Sequence, residues 1–131
     1  MWYDYYMREV ITMQICPYFE YSLQILGRKW NGLILHYLSL CDNGTSHFTE
    51  LKQNLPHITP KALSSKLSEL IEYELVEKKV IGGTPVSISY ELTEKGQLLI
   101  SSLQPIKSWA QQYMDYDPET NTLQKRGILH E

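Results

Sequence analysis

Cys16 is the residue in this sequence whose type and position come closest to reactive chemistry. It directly precedes Pro17, and proline suits the first turn of a helix, so the thiol is expected at a helix start. The free N–H groups and the macrodipole of a helix start favour a thiolate, which near the surface reacts with oxidants and electrophiles. Cys16 is therefore predicted to be a thiol switch. The alternative is a small apolar side chain packed under the first helix, because cysteine is often buried in that way.

Enzymatic and metal chemistry have little support in the other residues. No histidine or acid lies at a spacing from Cys16 that indicates a catalytic base, which argues against a thiol enzyme. Cys16 and Cys41 fit no zinc spacing, and the four histidines form no i, i+4 pair and no cluster with the cysteines. The sequence therefore predicts a protein that is not an enzyme and that has no metal and no cofactor.

A second set of candidate functional side chains lies on two short predicted helices within residues 47–74. The first helix is expected over 47–54, with Ser46 as its N-cap. Thr59 as N-cap and Pro60 at the first helical position start the second helix. The apolar stripe of this second helix consists of Leu63, Leu67, Leu70 and Ile71. Its opposite face carries Lys61, Ser65, Ser68 and Glu72, flanked by Ala62, Ser64 and Glu69.

The polar face of the second helix suits the major groove of DNA. Its short hydroxyl side chains let a helix approach another surface closely, whereas long charged side chains over the same turns would hold it away. The predicted DNA-binding residues on both helices and on the strand that follows are Thr49, Lys52, Thr59, Lys61, Ala62, Ser64, Ser65, Lys66, Lys78 and Lys79. The alternative is a pair of packing helices such as occurs in any small domain.

Two further helices are predicted before this pair. Pro17 suits the first turn of one, which runs to about Leu26 and ends at Gly27. Apolar residues at helical spacing predict the other, with Trp30 as a core aromatic. This stripe consists of Trp30, Leu33, Ile34, Tyr37, Leu38 and Cys41. The second of these helices is expected to be the centre of the core, and segment 42–46 is expected to be a loop.

The periodicity changes after the helix pair. Residues 75–81 read as a strand, residues 86–92 alternate with period two, and a Gly-Gly-Thr-Pro turn joins them, which predicts a β-hairpin. Thr93 then caps a last helix that runs to about residue 114 and is expected to kink at Pro105. A hairpin directly after a recognition helix is the wing of a winged helix. The predicted fold class is therefore mainly α with a small β-hairpin wing, a winged helix-turn-helix.

Composition and charge limit the class of protein. The chain has 131 residues, of which 43% are hydrophobic and 21% charged, as in one ordinary globular domain. It has no apolar run of 18 residues and no signal-peptide pattern, so a cytoplasmic protein without a membrane span is expected. The net charge is −3, but residues 28–79 hold seven Lys/Arg against six Asp/Glu. This less acidic middle is compatible with a DNA-binding face.

The N-terminal segment is unusually aromatic for a chain end. Trp2, Tyr6, Val10 and Met13 fit one helical face. Such a face packs on its own domain, on a second subunit, or on neither, and the second subunit is the favoured reading.

Taken together, these segments resemble the HxlR family of bacterial winged-helix transcription regulators. Five short motifs, in the family's order and within about residues 16–110, carry the resemblance: Cys16-Pro17, Gly27-Arg28-Lys29-Trp30 with Leu33-Ile34-Leu35, His47 to Leu51, Leu55 to Leu67, and Tyr90 to Gly96. The resemblance implies a homodimer built from the N-terminal and C-terminal helices, which binds operator DNA with two recognition helices and two wings. It also implies that Cys16 could sense oxidants or electrophiles, because some members of the family do so through the cysteine at this position.

Two residues depart from the family's pattern. His47 stands where the family often has arginine, and Ser87 stands at a wing position that is usually basic. Both departures weaken phosphate contact, so Lys61, Lys66, Lys78 and Lys79 would have to supply it.

The sequence thus predicts a DNA-binding transcriptional regulator. Its winged helix-turn-helix domain is expected over 16–114, preceded by an aromatic arm or helix at 1–15 and followed by a tail at 115–131. The predicted partners are double-stranded DNA and a second copy of the chain, while the operator, the effector and the sign of regulation are left open. The alternative is a winged-helix protein–protein module that does not bind DNA.

Overall fold

The computed structural model describes residues 14–126, which are mainly helical. The helices are α1 (Pro17–Leu26), α2 (Asn31–Leu40), α3 (Phe48–Asn54), α4 (Pro60–Glu72), α5 (Glu94–Ser101) and α6 (Gln104–Tyr113). The strands are β1 (Thr45–His47), β2 (Val76–Ile81), β3 (Ser87–Leu92), β4 (Met114–Asp117) and β5 (Thr122–Lys125). The predicted aromatic face of Trp2, Tyr6, Val10 and Met13 lies outside the described residues.

Strands β2 and β3 form the predicted hairpin, and β1 extends it to a three-stranded antiparallel sheet. The strand order is β1-β3-β2, and the hairpin register runs from Val76 opposite Leu92 to Ile81 opposite Ser87. The hairpin follows α4 directly in the chain and therefore occupies the position of a wing. The predicted fold class, mainly α with a β-hairpin wing on a helix-turn-helix, is confirmed.

The start of α3 differs from the prediction. Ser46 is not its N-cap, because Ser46 lies in β1 opposite Tyr90 and is buried. His47 is the N-cap, and its backbone N–H donates to Glu50 Oε1 at 3.2 Å. The expected loop at 42–46 is a short 3-10 turn followed by this strand. The reason is the pairing of β1 with β3, which fixes residues 45–47 in an extended conformation.

The core holds the recognition helix by the predicted apolar stripe. Leu63, Leu67 and Leu70 of α4 are at most 1% exposed. They belong to one cluster with the buried residues of α2, which are Ile34, Leu35 and Leu38. Within α2 the stripe is partly wrong, because Leu33 is exposed and Leu35 is buried instead. Trp30 packs against the core as predicted.

The base of the wing packs closely against the start of α5 at Gly96. A Cβ at this position would collide with the carbonyl oxygen of Leu75, the residue that precedes β2. Thr93 caps the helix as predicted, because its Oγ1 accepts from the backbone N–H of Gly96 at 3.0 Å. Only glycine therefore lets α5 lie this close to the base of the wing.

The predicted last helix is broken rather than kinked. Helix α5 ends at Ser101, and α6 begins at Gln104 with Pro105 in its first turn. Proline lacks a backbone donor and clashes with the preceding turn, so the chain starts a new helix there. Part of the unassigned tail forms a second hairpin, in which β4 pairs antiparallel with β5. None of the helices within 14–126 has the length and apolar character needed to cross a membrane.

Candidate nucleic-acid interface

The helix-turn-helix consists of α3, a short turn and α4. Thr59 Oγ1 accepts the backbone N–H of Ala62 at 3.1 Å, and Pro60 occupies the first helical position, so both predicted start signals operate. Thr59 was also predicted to bind DNA, and it lies exposed at the end of α4 that a major groove would receive. Ala62 beside it is half-buried.

The predicted polar face of α4 is exposed to solvent. The exposed residues of this face are Lys61, Ser64, Ser65, Ser68 and Glu72. Among the residues described here, Lys61 has no ion pair, so its ammonium group is free to meet a phosphate. The serine hydroxyls present short donors and acceptors that suit base edges.

Lys66 lies on the flank of α4 and not on this exposed face. Its Nζ is 3.3 Å from Glu69 Oε2, and its side chain is 22% exposed. The other oxygen of that carboxylate, Glu69 Oε1, is 3.0 Å from Nε of Arg28, in the turn between α1 and α2. The structure thus joins two cations to one carboxylate at the edge of the recognition helix. The sequence did not indicate Arg28, because the ion pair spans 41 positions of the chain.

The two predicted DNA-binding residues of α3 differ in exposure and in hydrogen bonding. Thr49 is exposed at the start of the helix. Lys52 is half-buried, and its Nζ donates to the carbonyl oxygen of Pro56 at 3.4 Å. Lys52 therefore stabilises the turn between the two helices, and only Thr49 presents an unengaged side chain.

The two wing lysines point to opposite faces of β2, because they are consecutive residues of a strand. Lys79 Nζ is 2.7 Å from Glu91 Oε1 on β3, and this hydrogen bond raises the pKa of Lys79. Lys78 is exposed and has no ion pair within the part of the chain that the structure describes. The sequence predicted a phosphate contact for both lysines, whereas in the structure only Lys79 is already held in an ion pair.

His47 links the helix-turn-helix to the wing. Its Nδ1 lies 3.1 Å from the carbonyl oxygen of Ile88 on β3, while its backbone caps α3 through Glu50. The ring therefore fixes the wing relative to the start of α3.

Cys16 lies at the start of α1. Its side chain is exposed, and it makes no capping hydrogen bond. It lines an apolar groove of about 330 Å³ together with Phe19, Leu23, Leu103 and Ile106. The alternative of a thiol packed beneath the helix does not describe this position. The other cysteine, Cys41, is half-buried, and its Sγ donates to the carbonyl oxygen of Tyr37 at 3.3 Å.

No group of three or more histidine, cysteine, aspartate or glutamate side chains within 14–126 is placed to hold a metal ion.

Comparison with known proteins agrees with this geometry. A family model described as HxlR-like helix-turn-helix matches residues 25–118. The HTH-type transcriptional regulator YodB of Bacillus subtilis is 40% identical over 77% of this chain and 88% of its own length.

Solved structures give the same result. The quinone-bound structure of B. subtilis YodB has a TM-score of 0.64 at 38% identity and covers 75% of this chain and 100% of that one. The redox regulator HypR in its oxidised form has a TM-score of 0.65 at 30% identity and covers 76% of this chain and 99% of that one. YodB is a transcriptional regulator, and HypR is a redox regulator. The chain therefore belongs to the HxlR-like helix-turn-helix family and is a DNA-binding transcriptional regulator with a winged helix-turn-helix fold.

Proposed function

We propose that this regulator binds a two-fold symmetric operator as a homodimer, and that oxidants or electrophiles release it from DNA through Cys16. One observation carries the proposal. The exposed thiol lines an apolar groove between the first and the last helices of the domain, on a surface that a second copy would cover.

The exposed apolar side chains support the dimer. On α1, Tyr18 is 85%, Phe19 68% and Leu23 61% exposed, and on α6, Ile106 is 60% and Trp109 63% exposed. A monomer rarely leaves so many large apolar side chains on neighbouring helices in water. A second copy that packs on α1 and α6 would bury them and would place two copies of α4 about a two-fold axis.

The recognition helices and wings would then bind DNA together. Two copies of α4 related by a two-fold axis call for a palindromic site, with half-sites about 34–36 Å apart or at a multiple of that spacing. The free ammonium groups of Lys61 and Lys78 would contact phosphates, and Ser64 and Ser65 would contact base edges. Thr49 would contact the backbone from α3. Chromosomal DNA as the target would place the protein in the bacterial cytoplasm.

The thiol chemistry follows from the position of Cys16. Two relatives support this chemistry, since YodB has been solved bound to a quinone and HypR has been solved in an oxidised form. A thiol that adds to a quinone forms a C–S bond. The thiol proton passes to one carbonyl oxygen and the proton of the attacked ring carbon passes to the other, which gives a hydroquinone thioether. An adduct on Cys16 would occupy the groove beside Phe19 and Ile106. It would therefore shift the packing of α1 against the partner subunit.

The proposed domain division places the winged helix-turn-helix at 16–114. The segment 1–15 would be an arm that packs on the second subunit, and 115–131 would be a C-terminal extension. Mass-mapped limited proteolysis of the full chain tests this division, because cleavage should begin outside 16–114. Primary cleavage within α3 or α4 would contradict it.

Sedimentation velocity tests the dimer. The parent chain should sediment as a dimer, and Phe19→Asp should sediment as a monomer, because a carboxylate on the apolar surface of α1 cannot be buried without cost. Ile81→Asp is the matched control, because Ile81 is 64% exposed at the tip of the wing, and this variant should remain a dimer. A monomeric parent, or a dimeric Phe19→Asp, would contradict the proposed interface.

Release of bound DNA tests the thiol switch. Benzoquinone, which adds to a single thiol, should release the parent from a fluorescent operator fragment selected from genomic DNA, whereas Cys16→Ser should stay bound. Cys41→Ser is the control, because its thiol is engaged with Tyr37, and this variant should respond like the parent. Mass spectrometry of each cysteine identifies the modified residue. If Cys16→Ser is released as readily as the parent, the switch does not reside at Cys16.

A further inference from the structure

We propose that Arg28 is a phosphate-binding residue of the DNA interface, and that Glu69 is the positioning residue that holds its guanidinium at the edge of the recognition helix. The assignment rests on DNA binding by this family and requires neither the dimer nor the thiol switch. Arg28 lies outside the helix-turn-helix, in the turn between α1 and α2.

The turn that carries Arg28 is anchored on both sides. Asn31 is fully buried, and its Nδ2 donates to the carbonyl oxygen of Ile25 at 2.9 Å, which ties the start of α2 to the end of α1. Trp30 packs against the core with a φ of 83°, a conformation that a bulky residue adopts only when its surroundings impose it. The backbone beneath Arg28 is therefore fixed before DNA arrives, which lowers the entropy cost of using its side chain.

The contact with Glu69 leaves most of the guanidinium free. Nε of Arg28 is 3.0 Å from Glu69 Oε1, and no other ion pair of Arg28 occurs within 14–126. A guanidinium has five N–H donors in a planar fork, so the two terminal NH2 groups remain available. The side chain of Arg28 is 55% exposed, whereas that of Glu69 is 21% exposed. The carboxylate thus contacts the guanidinium at Nε, and more than half of the Arg28 side chain stays exposed.

The position on the helix makes a phosphate the fitting ligand. Glu69 and Lys66 lie on the flank of α4, between its buried stripe and its exposed face. When the exposed face of a recognition helix enters the major groove, its flanks face the phosphates that line the groove. Two parallel N–H groups of an arginine match two phosphate oxygens, which gives a strong, charge-assisted contact.

The charges explain why a glutamate is compatible with this place. A lone carboxylate beside DNA would repel the phosphates. Here one carboxylate contacts two cations, Arg28 at 3.0 Å and Lys66 at 3.3 Å, so the three side chains together carry a net positive charge. Glu69 therefore weakens the long-range attraction between this cluster and the DNA phosphates only a little, while it fixes the direction of the guanidinium.

Fluorescence anisotropy with a labelled 30-base-pair duplex of mixed sequence tests the contact, because phosphate contacts do not depend on sequence. Each phosphate contact contributes about 0.9 to the slope of log affinity against log salt, which is about eight-fold in affinity at 100 mM NaCl. Arg28→Ala should therefore weaken binding by about eight-fold per bound subunit and flatten the slope accordingly. Binding by Arg28→Ala that equals the parent in affinity and slope would overturn the assignment.

The sign of the Glu69→Gln effect tests the positioning role. If Glu69 acted only through its charge, its removal would strengthen DNA binding. We expect Glu69→Gln to weaken binding and to flatten the salt slope, by up to the effect of Arg28→Ala, because the guanidinium loses its charged anchor. In the Arg28→Ala background the same change should strengthen binding. Tighter binding by Glu69→Gln in the parent background would overturn the positioning role.

Glu72→Gln is the matched control, because it removes the same charge from the exposed face of the same helix, and it should bind as tightly as the parent or more tightly. Circular dichroism should show that all four variants are folded, since each replaces an exposed or half-buried surface group. If the parent itself fails to bind the duplex at 50 mM NaCl, DNA binding is wrong, and the assignment of Arg28 falls with it. A parent that binds together with an unaffected Arg28→Ala overturns the Arg28 assignment alone.

Discussion

Replacing Lys61 by alanine should weaken DNA binding while leaving the domain at least as stable as the parent. Lys61 is the second residue of α4, its side chain is exposed, and it has no ion pair within the described residues. The change therefore removes a free cation from the end of the helix that would enter the groove, without opening a cavity in the core.

The expected size of both effects follows from the place of Lys61 as a free cation in the first turn of α4. Loss of one phosphate contact per subunit should lower affinity by about eight-fold at 100 mM salt, and by about sixty-fold if both subunits of a dimer bind. Stability should change in the other direction. A lysine in the first turn opposes the helix macrodipole, so its removal should stabilise the helix by about 0.3–1 kcal/mol. Alanine also has the highest helix propensity.

Two measurements on the same preparation separate these effects. Anisotropy with a labelled duplex between 50 and 200 mM NaCl gives the affinity and the salt slope, and urea unfolding followed by circular dichroism gives the free energy of unfolding. Lys125→Ala is the control, because it removes the same charge from an exposed position on β5, outside the helix-turn-helix. Its affinity should remain within about two-fold of the parent, since it removes no phosphate contact.

Binding by Lys61→Ala with the affinity and salt slope of the parent would refute the contact. The exposed face of α4 would then not be the face that meets DNA. A loss of affinity accompanied by a comparable loss of stability would also refute it, because the effect would then arise from the fold and not from the contact.

Two further predictions concern the core and the wing. Leu67→Ala should lower the free energy of unfolding by about 2–5 kcal/mol in urea titrations, because Leu67 is 1% exposed and its truncation leaves a cavity. The control Ser68→Ala should change it by no more than about 0.5 kcal/mol. Equal effects of the two changes would mean that α4 packs by another face. Lys78→Ser should weaken binding to a mixed-sequence duplex more than Lys79→Ser does, because Glu91 already engages Lys79, and the opposite order would assign the phosphate contact to Lys79.

Features that depend on neighbours in the chain could be predicted from the sequence. Thr59 and Pro60 lie within one turn of the helix that they start, so their types alone located the beginning of α4. The apolar spacing of Leu63, Leu67 and Leu70 likewise located the buried side of that helix. The hairpin followed from alternation and a turn within a single stretch of residues.

Features that depend on distant partners could not be predicted. Ser46 has the right type for an N-cap, but its pairing with Tyr90 places it in a strand. The ion pair of Lys79 with Glu91 crosses the hairpin, and that of Arg28 with Glu69 joins two separate parts of the chain. No local pattern reports such contacts, because they form only when the sheet and the helices are assembled. These contacts decide which of the predicted cations remain free.

The second hairpin, β4 with β5, also depends on a contact that the sequence pattern does not show. The polar composition of the tail indicated no element, yet β4 and β5 pair from Met114 opposite Lys125 to Asp117 opposite Thr122. The pairing is supported by the backbone N–H of Arg126, which donates to the carbonyl oxygen of Tyr113 on α6 at 3.1 Å. An isolated two-stranded hairpin is marginal in water, so its contact with α6 provides the support that the sequence pattern does not show.

Selection of bound fragments from bacterial genomic DNA, followed by hydroxyl-radical footprinting of the enriched sequence, tests the central claim most directly. A homodimer with two recognition helices should enrich an inverted repeat and protect two half-sites on the same face of the duplex, about 34–36 Å apart or a multiple of that distance. Enrichment of no common sequence, or protection of one unrepeated half-site, would contradict operator binding by a two-fold symmetric dimer.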